Sequence, residues 1–400
     1  MKNFDEITRA YAIKNALSYE GKAQIGSVIS SLFHEGLKKE DMKKYGKEIS
    51  KIVDEVNSLS LEDQKKEFEK IKDFTSERPS REGLPELPDV PKTGIVTRFR
   101  PSPSGPLHVG HLISNLISSL YVKKYGGKFY VIIDDTNPQT IVPESYKKIK
   151  DDCDWVFGNV YQYLNASDRI ESYYKFAEEL IEKKAAYVCT CSSNNFKEYI
   201  EKEENCPCRK LTVKQNLERW KRMLDKNGFG EGEAVLRFKS DMKHKNPAMR
   251  DFPLARINET EHPLQKNKYR VWPLMNLAVV ADDIELKMTH IIRGKDHRDN
   301  AERQRMIYKV FNKKFPWTFF IGRIKFTDLI LSKRKLTAAI ESGEFSGEED
   351  ERLPTIASLR KRGYKPEAFA KFVEQRGLTE VDKVIGSKEF FQVIDQFSKN

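Results

Sequence analysis

The sequence has no long hydrophobic run and no apolar segment at its start, and these two features narrow the classes of protein that we expect. No stretch approaches the roughly 20 apolar residues that a helix needs to cross a bilayer. The first six residues, MKNFDE, lack the apolar core of a signal peptide. We therefore expect a cytoplasmic protein that has no membrane partner.

The composition is that of a globular protein with a polar surface. Hydrophobic residues make up 38% of the 400 residues and charged residues 33%, and the length allows several domains. The formal net charge of +11 is unevenly distributed, because residues 1–90 carry 16 basic and 18 acidic side chains. The excess positive charge therefore lies in residues 91–400. A basic body suits the neutralisation of phosphates, although a solvated, mildly basic surface is an equally simple explanation.

The pattern of apolar residues predicts a helical segment followed by an α/β domain. Apolar positions recur at three- and four-residue steps in residues 1–75, and a proline-rich linker follows between residues 76 and 94. Strand-like sequences at 95–99 and 129–133 flank a helical pattern that starts at His108. This order predicts a right-handed crossover in a buried parallel sheet. Its ligands should gather at the carboxyl ends of the strands.

The second half of the same fold returns after an interruption. Strand and helix patterns alternate again over 270–325, whereas residues 211–268 read as irregular and rich in charge. We interpret residues 187–268 as an insertion that splits one nucleotide-binding fold into two halves.

The turn before the first helix of this fold carries a candidate phosphate site. His108 and His111 are three residues apart, so both side chains lie on one face of the first helical turn. A helix N-terminus offers oriented N–H groups and the positive end of a dipole, and Gly105 and Gly110 allow a nucleotide to approach the backbone. Two ordinary surface histidines beside a helix cap are the alternative.

A second cationic motif occurs far along the chain. Ser332 and Lys333 begin an S-K-R-K sequence that follows the largely apolar segment 326–331. Such a sequence is often a solvated loop. At the end of the second half of the fold, a mobile loop could instead close over a triphosphate.

Charged residues at strand ends are candidates for binding an amino acid. Arg98 and Arg293 could each form a bidentate pair with a carboxylate, and Asp134 could receive an ammonium group. Ion pairs at a sheet edge are the alternative for all three. For Asp282 and Asp283 we expect helix capping or an internal ion pair, because adjacent side chains diverge.

Four of the five cysteines form two C-x-C pairs, and 14 residues separate the pairs. Without a secretion signal, this arrangement favours a metal over disulfides. Four thiolates suit tetrahedral zinc and leave no open position, so we expect a structural site. Four unrelated thiols are the alternative. The predicted ligands are Cys189, Cys191, Cys206 and Cys208.

These motifs together resemble the glutamyl-tRNA synthetases of the archaeal type, in the glutamyl/glutaminyl branch of class I enzymes. The first motif is TRFRPSPSGPLHVGH at 97–111, and LSKR at 331–334 is similar to the KMSKS-type loop. Further similar segments are YAIKNA at 11–16, DDTNP at 134–138, THIIRGKDH at 289–297 and RLPT at 352–355.

The resemblance implies an activity and the residues that perform it. The expected reaction forms glutamyl-adenylate from L-glutamate and ATP with Mg²⁺, and transfers glutamate to the terminal adenosine of tRNA(Glu) or also tRNA(Gln). We expect a monomer. The implied ATP-binding and catalytic residues are His108, Gly110, His111, Ser332 and Lys333. The implied amino-acid pocket contains Arg98, Ser102, Asp134, Met275 and Arg293.

The resemblance also implies a division into domains. The expected parts are a helical extension and linker at 1–90, the first catalytic half at 91–186, an acceptor-end-binding insertion with the zinc site at 187–268, the second catalytic half with the KMSKS-type loop at 269–340, and a helical stem-contact domain at 341–400. Members of the family normally continue into anticodon-binding barrels, and we expect those to be missing here.

The chain also departs from the family pattern, and rival functions stay open. Met275 stands where relatives often have a tyrosine, and Val279 where some have an asparagine, so neither side chain can donate a hydrogen bond. Glutaminyl-tRNA synthetase is the nearest rival, but its first motif usually reads P-E-P-N-G rather than the P-S-P-S-G found at 101–105. A shortened paralogue that glutamylates a modified tRNA base and a non-catalytic tRNA-binding protein are further alternatives.

Overall fold

The computed structural model describes residues 3–19, 21–76, 83–329 and 331–398. The chain divides into two compact units, Met1–Ser80 and Arg81–Asn400. None of the helices in the described part is both long and apolar enough to cross a membrane.

The first unit is a helical bundle, as the periodicity predicts. Ile13, Val28, Leu32 and Ile49 are fully buried in its core. Its helices are α1 (Phe4–Ser18), α2 (Ile25–His34), α3 (Met42–Ser58) and α4 (Leu61–Ile71).

The second unit begins with the predicted parallel sheet. Its first elements are β1 (Ile95–Phe99), α5 (Val109–Tyr125), β2 (Gly127–Ile133), α6 (Ser145–Phe157), β3 (Gln162–Asn165) and α7 (Ile170–Glu182). Strand β2 lies between β1 and β3, and both pairings are parallel. The predicted crossover from β1 through α5 to β2 is therefore confirmed. The apolar face of α5 packs into the main core of this unit.

An antiparallel sheet follows in the middle of the chain. Its elements are β4 (Ala186–Cys189), α8 (Ser193–Lys202), α9 (Val213–Leu224), β5 (Val235–Phe238), β6 (Pro253–Ile257) and β7 (Val271–Pro273). The four strands pair in chain order. The expectation that residues 211–268 are irregular was therefore wrong. Strands β5 and β6 are short and are separated by charged loops, which hid their alternation in the sequence.

The parallel arrangement resumes after β7. The elements are α10 (Met275–Glu285), β8 (His290–Gly294), α11 (Arg298–Val310), β9 (Trp317–Ile321) and β10 (Ile324–Phe326). Strands β8 and β9 are parallel. The backbone N–H of Thr289 donates to the carbonyl of Val96 at 2.9 Å, so β8 starts beside β1. The two halves of the fold thus meet, which confirms the predicted α/β class.

The last part of the chain is mainly helical. Its elements are α12 (Lys333–Glu341), α13 (Ile356–Lys361), α14 (Pro366–Arg376), β11 (Lys383–Ile385) and α15 (Ser387–Ser398). Lys333 was expected in a loop, but its backbone begins α12. The sequence KRKLTAAIE consists mostly of good helix formers, which accounts for the difference.

A buried carboxylate lies between α6 and α13. The side chain of Asp152 is 7% exposed, and its Oδ1 is 3.7 Å from a guanidinium nitrogen of Arg360. Burial raises the pKa of Asp152 to about 7, and the Arg360 charge offsets only part of that rise.

We predict that Asp152→Asn stabilises the protein at pH 8 but not at pH 4. An unfolded aspartate has a pKa of about 3.9, so the folded chain binds more protons between about pH 4 and 7 and loses stability as the pH rises. The gain at pH 8 is at most about 4 kcal/mol. Thermal unfolding at both pH values measures it. Asp151→Asn, at the exposed neighbouring position, is the control, and an equal gain in both variants would contradict the prediction.

Candidate active site

A cleft of about 640 Å³ opens at the carboxyl ends of β1, β8 and β9. Most of the site residues predicted from the sequence line it. These are Arg98, Ser102, His108, Gly110, His111, Met275 and Arg293. Of the other predicted site residues whose side chains the structure describes, Asp134 and Ser332 lie outside this lining. The edge of the sheet has therefore brought the strand-end motifs together, as expected for parallel strands.

The two histidines build the N-terminus of α5. His108 is the N-cap, and its Nδ1 accepts a hydrogen bond from the backbone N–H of Gly110 at 3.1 Å. The Nδ1 of His111 accepts from the backbone N–H of His108 at 3.2 Å, and the ring centroids are 3.8 Å apart. A neutral ring that accepts at Nδ1 carries its proton on Nε2. Gly105, with φ of 132°, allows the turn that precedes this cap.

The segment before Lys333 lies beside the same helix end. Leu331 lines the cleft, and a Cβ atom placed on Gly110 would be 3.5 Å from Leu331 Cδ1. A side chain at Gly110 would also press on the His108 ring at 3.0 Å. Glycine at this position therefore leaves room for the His108 ring, and Leu331 packs next to it at van der Waals distance. The side chain of Lys333 lies outside the described residues, so its role stays a prediction.

Arg98 is buried, and its carboxylate partner is within the protein. Its guanidinium forms a bidentate pair with Asp283 on α10, at 2.5 and 2.9 Å. The sequence left a ligand carboxylate and an ion pair at the sheet edge open for Arg98. The structure contains such an ion pair, and the role of Arg98 in binding an amino acid stays a prediction. Arg98 on β1 is 8% exposed and Asp283 on α10 is 3% exposed, and an unpaired charge at such buried positions would be very unfavourable. The internal ion pair expected for the Asp282–Asp283 sequence is present.

Arg100 links Asp134 to Asp282, and sequence reasoning missed it. Its Nε donates to Asp134 at 3.0 Å, and its Nη1 forms a short contact with Asp282. The hydroxyl of Thr136 also donates to Asp134. Burial opposes ionisation of Asp134, but Arg100 and Thr136 outweigh it, so the pKa of Asp134 is lowered. Arg100 follows Arg98 by two residues at the end of a strand, so both side chains point to the same side. This spacing is the feature of the sequence that could have identified Arg100.

Arg293 differs from the other arginines at this edge because an amide holds it. Its Nη1 donates to Oε1 of Gln304 on α11 at 2.8 Å. Burial, followed by repulsion from Arg98, lowers the pKa of Arg293 to about 10. Because its hydrogen-bond partner is a neutral amide and Arg98 is close by, an anionic ligand beside Arg293 would be stabilised.

The lining as a whole is cationic. Among the described residues of the lining, one carboxylate, Asp296, faces five guanidinium groups. Sequence reasoning also missed Asn115 and His297 in this lining. The arginines are Arg98, Arg100, Arg293, Arg323 and Arg376.

Comparison with protein families covers the segment of the chain that builds the cleft. Residues 94–397 match the family model described as the catalytic domain of class I tRNA synthetases (E and Q). The chain belongs to that family. The resemblance seen in the sequence is thereby confirmed.

Curated members of the family are similar to most of this chain. The glutamate–tRNA ligase of Methanocaldococcus jannaschii is 42% identical over 372 residues, which cover 93% of this chain and 66% of that protein. The enzyme of the same name from Pyrococcus furiosus is 42% identical over 395 residues, covering 95% and 68%. The chain thus spans about two thirds of the length of these relatives.

Solved structures agree at the level of the fold. A glutamate tRNA ligase from Elizabethkingia meningosepticum in complex with its amino acid superposes with a TM-score of 0.54 at 19% identity. The superposition covers 76% of this chain and 69% of that one.

The four predicted metal ligands of this synthetase-family chain lie together. The sulfur atoms of all four cysteines are within 4.8 Å of one another. Cys189 and Cys206 are 3.9 Å apart, as are Cys191 and Cys208. Four sulfurs about 2.3 Å from one zinc ion would be about 3.8 Å apart. This group could therefore hold a metal ion.

We predict that Arg100→Leu lowers the free energy of unfolding by about 3–5 kcal/mol, because it leaves the carboxylate of Asp134 without its guanidinium partner and removes one of the two that bind Asp282. Urea unfolding followed by fluorescence measures the loss. Arg298→Leu is the control, since it breaks a pair with Glu380 in which both side chains are half exposed. The control should lose less than about 1 kcal/mol. Equal losses would show that Arg100 does not balance these carboxylates.

Proposed function

We propose that this chain activates L-glutamate with ATP and transfers it from glutamyl-adenylate to the 3′-terminal adenosine of tRNA(Glu). The supporting observation is the cationic cleft in which the His108–His111 helix end and Arg293 face the same space. The names of the similar curated proteins support the choice of reaction.

The histidine-capped end of α5 is the proposed ATP site. Attack on the α-phosphate places negative charge on phosphate oxygens, and preorganised donors stabilise that charge. His108 and His111 would donate from Nε2, while Gly110 admits the nucleotide to the backbone. Ser332 and Lys333 would bind the outer phosphates with Mg²⁺ from the segment next to Leu331.

The part of the cleft around Arg293 is the proposed amino-acid site. Arg293 would bind a carboxylate of glutamate, Ser102 would assist, and Asp134 would receive the α-ammonium group while Arg100 holds it ionised. Arg98 would contribute its charge while paired with Asp283. Met275 and Val279 also line the cleft, and their apolar side chains would contact the methylenes of glutamate.

A structural zinc ion is the proposed occupant of the four-cysteine group. Cys189, Cys191, Cys206 and Cys208 would supply all four ligands, which leaves no position for a reacting water. The Thr190 backbone N–H and Arg219 both lie near Cys208 Sγ, at 3.5 and 3.4 Å, and would stabilise a thiolate there. The domain limits, the acceptor-end role of residues 187–268, charging of tRNA(Gln) and the monomeric state remain predictions.

The proposed reaction predicts that Lys333→Ala lowers tRNA-dependent pyrophosphate exchange with glutamate about 100-fold or more, because a charge-stabilising donor is removed. Lys335→Ala, two residues further along α12 at an exposed position, is the matched control and should behave as wild type. The assay is run with glutamate and glutamine, each with and without tRNA. Exchange that depends on glutamine but not glutamate would contradict the assignment.

The zinc proposal predicts one zinc ion per chain in metal analysis of the purified protein. Cys208→Ser should lower this ratio and the melting temperature, because the metal stabilises the surrounding segment. Cys153→Ser is the control, since Cys153 is a buried thiol outside the group, and its zinc content should not change. Full zinc binding in the Cys208 variant would exclude the proposed site.

A further inference from the structure

A continuous chain of side-chain hydrogen bonds runs behind the cleft, from Arg293 to His297. Arg293 Nη1 donates to Gln304 Oε1 at 2.8 Å, and Gln304 Nε2 donates to Asn276 Oδ1 at 3.1 Å. Asn276 Nδ2 then contacts Asn300 Oδ1 at 3.3 Å. Asn300 Nδ2 contacts Nδ1 of His297, also at 3.3 Å. Gln304 and Asn276 are buried, so water does not compete for the bond between them.

The direction of this chain is fixed by the cations beside it. A guanidinium can only donate, so Gln304 must turn its oxygen to Arg293 and its nitrogen to Asn276. Asn276 must then direct its own nitrogen to Asn300. Arg303 Nη1 independently donates to the same Asn300 oxygen at 3.2 Å. Both ends therefore require that Asn300 offers its nitrogen to His297.

The last bond sets the protonation of His297. Because Asn300 Nδ2 donates, Nδ1 of His297 must accept, and the proton of the neutral ring lies on Nε2. His297 lines the cleft, as Arg293 does.

The charges around His297 also favour the neutral ring. Arg293, Arg98 and Arg323 are the cations that act on it, and Asp296 is the anion, with Oδ2 at 3.7 Å from Nε2. Arg323 binds that carboxylate at 2.7 Å and so weakens its pull on the imidazole. Burial first, and then Arg293, lower the pKa of His297.

We propose that His297 presents an Nε2–H donor to the carboxylate held by Arg293, and that Gln304, Asn276 and Asn300 are positioning residues that fix this tautomer. This inference rests on the proposed function for the identity of the ligand. Arg293 and His297 then both donate to the ligand, while Asp296, the carboxylate 3.7 Å from Nε2, is bound by Arg323. A carboxylate, which only accepts, satisfies both groups, whereas a carboxamide would turn its NH₂ toward one of them. His297 thus selects glutamate against glutamine.

The tautomer is tested by ¹⁵N NMR of the histidine rings in the full chain, with His297→Gln used to assign the signal. We expect a protonated Nε2 and an unprotonated Nδ1 in the wild type at neutral pH. In Asn300→Asp the carboxylate can only accept, so Nδ1 should become protonated. Lys309→Gln lies at an exposed position of α11 and changes the net charge by the same amount. It should leave the signal as in the wild type.

The role in selection is tested by tRNA-dependent exchange with L-glutamate and L-glutamine. His297→Leu should lower the glutamate-to-glutamine ratio of kcat/KM about tenfold or more, mainly through KM for glutamate, because a hydrogen bond to a charged group is lost. His297→Gln keeps a donor and should recover part of the ratio. Lys309→Gln should keep the wild-type ratio.

The outcomes separate this inference from the proposed function. A protonated Nδ1 in the wild type would overturn the relay whether or not the chain is active, since the NMR measurement needs no substrate. The expected tautomer with an unchanged ratio in His297→Leu would overturn the role in selection. Absence of glutamate-dependent exchange in the wild type would contradict the proposed function, and the selective role of His297 with it, while the tautomer would still be decided by NMR.

Discussion

Pairing of buried guanidinium and carboxylate groups at the edge of the parallel sheet is the constraint on which the cleft depends. Asp282 receives Arg100, Arg169 and the hydroxyl of Tyr173, and Asp283 receives Arg98. Removing such ions from water is expensive, and their attraction compensates only when every group is well placed. The position of α10 against β1 is therefore set by charge as well as by apolar packing.

The same pairing leaves positive charge unbalanced where a ligand would bind. Each of Arg98 and Arg100 has a carboxylate partner, whereas Arg293 has the neutral Gln304. A partly buried cation held by an amide keeps its full charge for an incoming anion, and the amide orients it without neutralising it. The dipole of α5 adds a second positive region at the histidine cap. One cleft can thus receive a carboxylate and a triphosphate at separate places.

Much of this arrangement could be predicted from the sequence, because its signals are local. Strand β1, the capped start of α5 and strand β2 lie within forty residues and carry their own periodicity and turn chemistry. The two C-x-C pairs were likewise readable as one group. Lys333 was placed wrongly in a loop because its basic character, rather than its helix propensity, was given weight.

The partners of the charged residues could not be predicted in the same way. Arg98 and Asp283 are 185 residues apart, and nothing in either local sequence indicates that the other fills its hydrogen bonds. Arg100 and His297 were overlooked for a related reason. Arg100 contacts Asp282 on α10, and His297 contacts Asn300 on α11. The local sequence around Arg100 and His297 does not indicate these contacts.

The connection between β7 and α10 shows why the middle sheet matters to the cleft. Strand β7 ends at Pro273, and α10 begins at Met275, with Leu274 as the single residue between them. The backbone N–H of Leu274 donates to the carbonyl of Leu254 on β6 at 2.7 Å. The antiparallel sheet therefore fixes the start of the helix that carries Asn276, Asp282 and Asp283. The antiparallel sheet and the parallel strand β1 therefore both hold in place the charge pairs of Asp282 and Asp283 and the hydrogen bonds of Asn276.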